Sequence, residues 1–334
     1  MRATKRFVYF GLLFIGGILI LLIGIMISTS IGMSEVTFFH VAESFFSTDL
    51  TKEHLIAQTV RLPRAIIACI IGANLAVAGA IMQAITRNPL ASPQIFGINA
   101  GASLLVVAST VFFTGLSSNS LIYFAFIGAA VGGFLVYYLG SAGGGMTPVK
   151  LALAGIAIHF FLSALTEGLI IFHEHTTEGI LFWLAGAVDS KDWQDVETLL
   201  PWAAFGLLGS FLVAKSISIL SLGENVAKGL GQNVGWIRII SGGLVVVLAG
   251  ASVSIAGPIG FVGLIIPHIT RYLVGIDYRI VLPFSALFGA ILLIYADILA
   301  RFIAFPYESP VGIVTALLGA PFFFYLIKRR KKLS

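Results

Sequence analysis

The sequence predicts an all-α, polytopic integral membrane protein with about ten transmembrane helices packed around a central second helix. Three observations carry this prediction. Of 334 residues, 58% are hydrophobic and only 10% charged, whereas soluble domains carry about 25% charged residues. Apolar runs long enough to cross a hydrocarbon core of about 30 Å recur along the chain. In the second run, Ala68, Gly72, Ala76, Ala80 and Ala84 repeat every fourth residue as a ridge of small side chains, while Ala65, Ala73, Ala78 and Gly79 slim the other faces. In lipid, helices associate through packing rather than water exclusion, so such a ridge admits neighbouring backbones closely. This helix is expected to be surrounded by other helices.

The apolar runs lie near 7–28, 65–83, 96–115, 121–139, 151–171, 196–214, 237–255, 259–274, 282–300 and 310–327, within one transmembrane domain covering 1–334. The first is too long for a signal-peptide core and lacks a small-residue cleavage site, so it stays as a helix. The eighth is short and carries Pro267. With the N-terminus inside, Arg2, Lys5, Arg6, Arg87, Lys150, Lys215, Lys228, Arg238, Arg271, Arg279 and the tail Lys328-Arg329-Arg330-Lys331-Lys332 are cytoplasmic. These make fifteen of the twenty Lys and Arg. Lys52, Arg61, Arg64, Lys191 and Arg301 fall outside. The asymmetry predicts an even number of spans with both termini cytoplasmic. It also makes the basic tail a topology signal and a lipid-headgroup contact, not a nucleic-acid patch.

Between the spans, the outer segment 28–60 is too long for a tight turn and is expected to carry a short surface helix. The outer stretch 173–197 places Trp183 and Trp193 at the membrane interface. Spans two to five and seven to ten have opposite orientations, as in an inverted repeat, without a residue-level match. The cytoplasmic segment 221–238 is the longest polar inner loop. Ser221 and Glu224 have capping-box spacing, which predicts a short helix from Leu222, ended by Gly229 and Gly231. Leu222, Val226 and Leu230 then share one apolar face. This is either an interfacial loop helix or a knob for another protein.

Several chemistries are disfavoured. Cys69 is the one cysteine, so no disulfide framework or cysteine metal site exists. There is no Walker phosphate loop and no soluble block able to hold a nucleotide domain, so ATP would have to be bound by another chain. His173-Glu174-His175 lacks a fixed third metal ligand and reads as a solvated outer turn. No metal site and no cofactor are expected. The glycine-rich run 141–148 lacks the Lys and Ser/Thr register of a phosphate loop.

The segments RLPR, GANLAVAGAIMQAITRNPLASPQIFGINAGA, SLGENVAKGLG, GFVGLIIPHITR, ADILAR and ESPVGIVTALLGAPFFFYL, in this order, resemble the permease family of ABC importers for iron–siderophore complexes and cobalamin. The resemblance covers nearly the whole chain after about residue 60. It implies ten spans in a bacterial plasma membrane and a second permease subunit, identical or paralogous. It also implies two cytoplasmic ATP-binding subunits and an extracytoplasmic substrate-binding protein, with ferric siderophores as cargo and cobalamin or haem as alternatives. Leu222, Gly223, Glu224, Ala227, Leu230 and Gly231 match the family's ATPase-coupling segment. Arg61, Arg64 and Arg301 match positions that meet acids of the binding protein, a task suited to the guanidinium fork. The competing local reading pairs Asp297 with Arg301 at helical spacing. Spans five and ten line the pathway in that family, which makes His159 and Glu167 candidate pathway residues and the 141–148 run a candidate gate.

Two readings of other classes compete. An ion-coupled secondary transporter would use Glu167 as its coupling carboxylate. A membrane-embedded hydrolase would use His173 and His175 with a metal. Neither accounts for the ordered motif set.

Overall fold

The computed structural model describes residues 2–31, 51–113, 115–142, 147–303 and 307–330. The main helices are α1 (Arg2–Ser30), α2 (Leu62–Ile85), α3 (Ile98–Phe112), α4 (Ser118–Ser141), α5 (Pro148–Phe172), α6 (Trp193–Ser221), the short α7 (Glu224–Gly229), α8 (Val234–Ala256), α9 (Val262–Val274), α10 (Tyr278–Ile303) and α11 (Val311–Arg330). Among the described residues there is no β-strand. Seven helices are long and apolar enough to cross a membrane; Ile98–Phe112, Val262–Val274 and Val311–Leu326 are apolar but shorter.

The second span is the hub. Every residue of α2 from Asn74 to Ile85 is buried, and the helix packs against α6, α8, α9 and α10. The ridge read from the sequence explains the fit. A Cβ on Gly72 would overlap the carbonyl of Gly289 in α10, and one on Gly79 would overlap Gly263 in α9. Backbones at such crossings touch directly, which is how helices gain contact where water exclusion contributes nothing.

The span begins earlier than 65. A turn of helix at Lys52–Ile56 and a π-helical turn at Ala57–Arg61 run into α2, making one apolar helix over His54–Ile85. Pro63 lacks an N–H and its ring crowds the carbonyl four residues back. The wide π turn, closed by Leu62 N–H donating to the Ala57 carbonyl, accommodates it. The expected surface helix in 28–60 falls mostly on residues 32–50, outside the described set.

Spans three and eight both begin from non-helical backbone. A 3₁₀ turn, Pro93–Phe96, leads to Gly97 (φ 69°) at the N-cap of α3. Residues 257–260 lead to Phe261 (φ 66°) at the N-cap of α9. These lead-in segments touch each other, with a Cβ built on Gly263 lying 3.1 Å from Pro93 Cδ and one on Gly260 3.0 Å from Gln94 Oε1. Irregular backbone at membrane depth is tolerated when buried in protein. Gln83 ties this junction to α2, its Nε2 donating to the Gly263 carbonyl at 3.0 Å and its Oε1 accepting from Arg271. The two halves therefore share a device that their side chains do not advertise.

Candidate functional site

The predicted coupling segment forms a compact projection between α6 and α8. Its helix starts at Glu224, not Leu222, and the expected Ser221–Glu224 capping box is absent. Ser221 Oγ instead donates back to the Ser218 carbonyl at 2.7 Å. Leu222 caps the end of α6, and Gly223, at φ 133°, is the N-cap of α7; a side chain at that φ would be strained. The other end follows the sequence reading. Gly231 (φ 77°) donates to the Lys228 carbonyl at 2.9 Å and Gln232 to Ala227 at 2.9 Å, a complete Schellman stop.

Ala227 is fully buried against the bundle, whereas Leu222, Val226 and Leu230 are exposed. Glu224 bridges Lys228 and Arg238 at 2.9 Å each, fixing α7 to α8. Hydrogen bonds from Lys228 and then Arg238 hold the Glu224 carboxyl below the usual glutamate range. The segment thus presents three large apolar side chains, Val226 on the short helix and Leu222 and Leu230 flanking it.

At the opposite end, Arg61, Arg64 and Arg301 come together, each less than a tenth exposed. Arg64 donates through Nε to both Asp297 oxygens at 3.1 Å and through Nη2 at 2.7 Å, and pairs with Glu308. Arg301 reaches Asp297 at 2.6 Å and the carbonyls of Ser28 and Ile31 at 2.7 and 2.8 Å. Arg61 donates to the carbonyls of Thr29 and Ser30 at 3.1 and 2.8 Å. These carbonyls are the orphan acceptors at the end of α1, and cations there also meet the negative end of the helix dipole. The three arginines therefore form an internal clamp joining α1, α2, α10 and the approach to α11. Asp297 and Arg301 do pair at i,i+4, as the local reading expected.

Span five is the most outward-facing of the later helices: 22% of its apolar window is buried, against 83% for the second span. Val149, Leu153, Ile156 and Phe160 form an exposed stripe on α5, and Ile313, Leu317 and Phe324 are exposed on α11. Between α5 and α11 lies a cavity of about 380 Å³ lined by Asn88, Ser92, Gln94, Ile156, Phe261 and Phe323. Phe261 packs onto Gly319, where a Cβ would overlap its ring. His159 is half-buried beside Phe160 and Glu167 is exposed. Eight residues separate them, about 12 Å along the axis, so they do not form one site.

The polar lining Asn88, Ser92 and Gln94 was missed in the sequence. Its signal is three uncharged polar residues in a stretch that is otherwise apolar. His173 Nδ1 lies 3.2 Å from the Leu169 carbonyl oxygen. Among the described residues, no three His, Cys, Asp or Glu side chains are grouped as metal ligands. Of the 141–148 run, residues 143–146 lie outside the described set.

A model of the FecCD transport family matches residues 20–329. The chain belongs to the FecCD transport family. This FecCD chain is 54% identical over 323 residues to the Fe(3+)-citrate import system permease protein YfmD of Bacillus subtilis (strain 168), covering 97% of this chain and 96% of the relative. It is 48% identical to the probable siderophore transport system permease protein YfiZ of the same organism, covering 95% of each. Against the Fe(3+) dicitrate transport system permease protein FecC of Escherichia coli (strain K12) it is 42% identical, covering 84% of this chain and 85% of the relative. A solved structure described as an inward-facing, metal-chelate type ABC transporter matches with TM-score 0.83 and 30% identity, over 96% of this chain and 99% of the other. The all-α multi-pass fold is thus the FecCD fold.

Proposed function

We propose that this chain is the permease subunit of an ATP-driven bacterial importer that moves a ferric siderophore or a related iron chelate into the cytoplasm. The observation that carries the reading is the pinned α7 projection. Leu222, Val226 and Leu230 stand out from a projection that Glu224 ties to α8, which suits transmission of motion from an ATPase. Two cytoplasmic ATP-binding subunits would receive this segment, one copy on each permease, through Leu222, Gly223, Glu224, Leu230 and Gly231, while the buried Ala227 seats it on the bundle. The relatives named as iron-citrate and siderophore permeases support the cargo class.

The exposed apolar stripes on α5 and α11 are read as the contact with a second permease, identical or paralogous. The cavity beside Gln94 is read as the inner part of the route between them, with His159 and Glu167 along its wall. The outer face around Arg61, Arg64 and Arg301 is read as the docking face for an extracytoplasmic binding protein. Exposed pairs there contribute only ~0–1 kcal/mol each, so their main effect is on encounter and orientation. Both termini are placed in the cytoplasm.

The test is reconstitution with the co-expressed ATPase and binding protein. Uptake of the ferric chelate should require ATP, and binding-protein association should weaken as salt rises. The double variant Leu222→Asp/Leu230→Asp should remain in the membrane yet lose co-purification of the ATPase and lose uptake. Uptake against a gradient by this chain without any ATPase, abolished by Glu167→Gln, would establish the ion-coupled reading instead.

A further inference from the structure

Two cavities lie side by side where α4 and α8 meet the level of α7. One, of about 410 Å³, is walled by apolar groups that include Met82, Ile85, Phe134 and Val246, together with Gly242 and Gly243. The other, of about 730 Å³, is polar and lined by Ser141, Thr147, Glu224, Lys228, Gln232 and Asn233 among others. Tyr137 and Arg238 line both. The apolar limb is open space: a Cβ on Gly242 or Gly243 would have nothing within 4 Å. Phe134 and Ile239 at its mouth are exposed on helices that cross the membrane, so this limb opens toward hydrocarbon.

The polar limb is bordered by basic side chains. Lys228 and Arg238 share the one carboxylate Glu224. At the rim, Lys150 Nζ donates to the Ala142 carbonyl at 3.2 Å, one turn from Thr147. Three basic side chains are thus gathered around this limb. Each limb is of the size of ordinary ligand sites, about 300–1,000 Å³.

A site that changes from hydrocarbon to cationic across a single Tyr–Arg boundary has the polarity profile of one class of molecule, a lipid with an anionic head. We propose that a phosphatidylglycerol-type phospholipid of the leaflet facing α7 sits here, one acyl chain in the apolar limb and its phosphate against Lys228 and Arg238. A zwitterionic lipid fits the apolar limb equally but lacks the net negative charge that the cations favour. Because the phosphate shares its cations with Glu224, the occupant touches the groups that fix α7 to α8. Lipid composition thereby acts on the projection proposed to couple to the ATPase. The binding claim itself does not rest on the cargo or on ATP.

The experiment uses the permease with its ATPase in nanodiscs containing phosphatidylglycerol with a photoactivatable acyl chain, or phosphatidylcholine with the same chain. Cross-linked peptides are mapped by mass spectrometry. Phosphatidylglycerol should label 130–137 and 238–246 more strongly than phosphatidylcholine does. Lys228→Gln, on an exposed side chain, should reduce phosphatidylglycerol labelling about fivefold, the worth of one basic group near an anionic surface, and leave phosphatidylcholine labelling unchanged. Gly243→Leu, which fills the apolar limb, should reduce labelling by both. Equal labelling by the two lipids, or labelling insensitive to both substitutions, overturns the proposal.

Discussion

Asp297 shows how much one residue can hold. It is 1% exposed and accepts from both Arg64 and Arg301. Replacing it leaves two buried guanidiniums short of their partner, and breaking a buried pair costs about 3–5 kcal/mol. Asp297→Ala is expected to lower the thermal unfolding midpoint of the detergent-solubilised protein strongly, measured against an exposed control such as Glu197→Ala; an unchanged midpoint would remove the clamp. Half of this clamp is visible in the sequence, because Asp297 and Arg301 lie one helical turn apart. The other half is not. Arg64 is 233 positions from Asp297, and no local periodicity reports a contact at that separation. The same blindness made three arginines at helix ends read as outward forks, although each is turned in toward carbonyls or carboxylates.

Elements were legible where their signals are local. The ridge on α2 is a four-residue repeat, so its role as the hub could be read directly, and Gly231 stops α7 by a rule that needs only a few residues. The start of α7 was misjudged because Gly223 interrupts the chain between Ser221 and Glu224, so the capping spacing spans two helices. The broken lead-ins to α3 and α9 escaped because what holds them is distant in sequence: Gly260 and Gly263 lie against Gln94 and Pro93, and Gln83 donates to the Gly263 carbonyl. The crossings make a sharp prediction. Gly79→Val would drive a side chain into Gly263, and overpacking of this kind costs at least about 1–3 kcal/mol. Gly16→Val, with nothing within 4 Å of its Cβ, is expected to stay within about 0.5 kcal/mol. Midpoints of unfolding for the two variants, side by side, decide it; equal behaviour would deny the close approach.

For the molecule as a whole, charge distribution sets the orientation that the other readings assume. The expected placement of fifteen of the twenty basic residues on one side predicts α7 in the cytoplasm and the arginine clamp outside. Single cysteines at Leu230 and at Lys191, in a Cys69→Ser background, are expected to react with a membrane-impermeant maleimide from opposite sides: Lys191→Cys in intact cells, Leu230→Cys only in inverted vesicles. Labelling of both from one side would invert or break the map.

The end of α1 is held by Arg301 across 270 to 273 positions of chain. Arg61 holds the same terminus from only 31 to 32 positions away, so its two fastenings differ widely in sequence separation. Contacts so far apart in sequence form late, and domains otherwise mature in the order of synthesis. The end of α1 is therefore half fastened once α2 is made, through Arg61, and fully fastened only after α10 supplies Arg301.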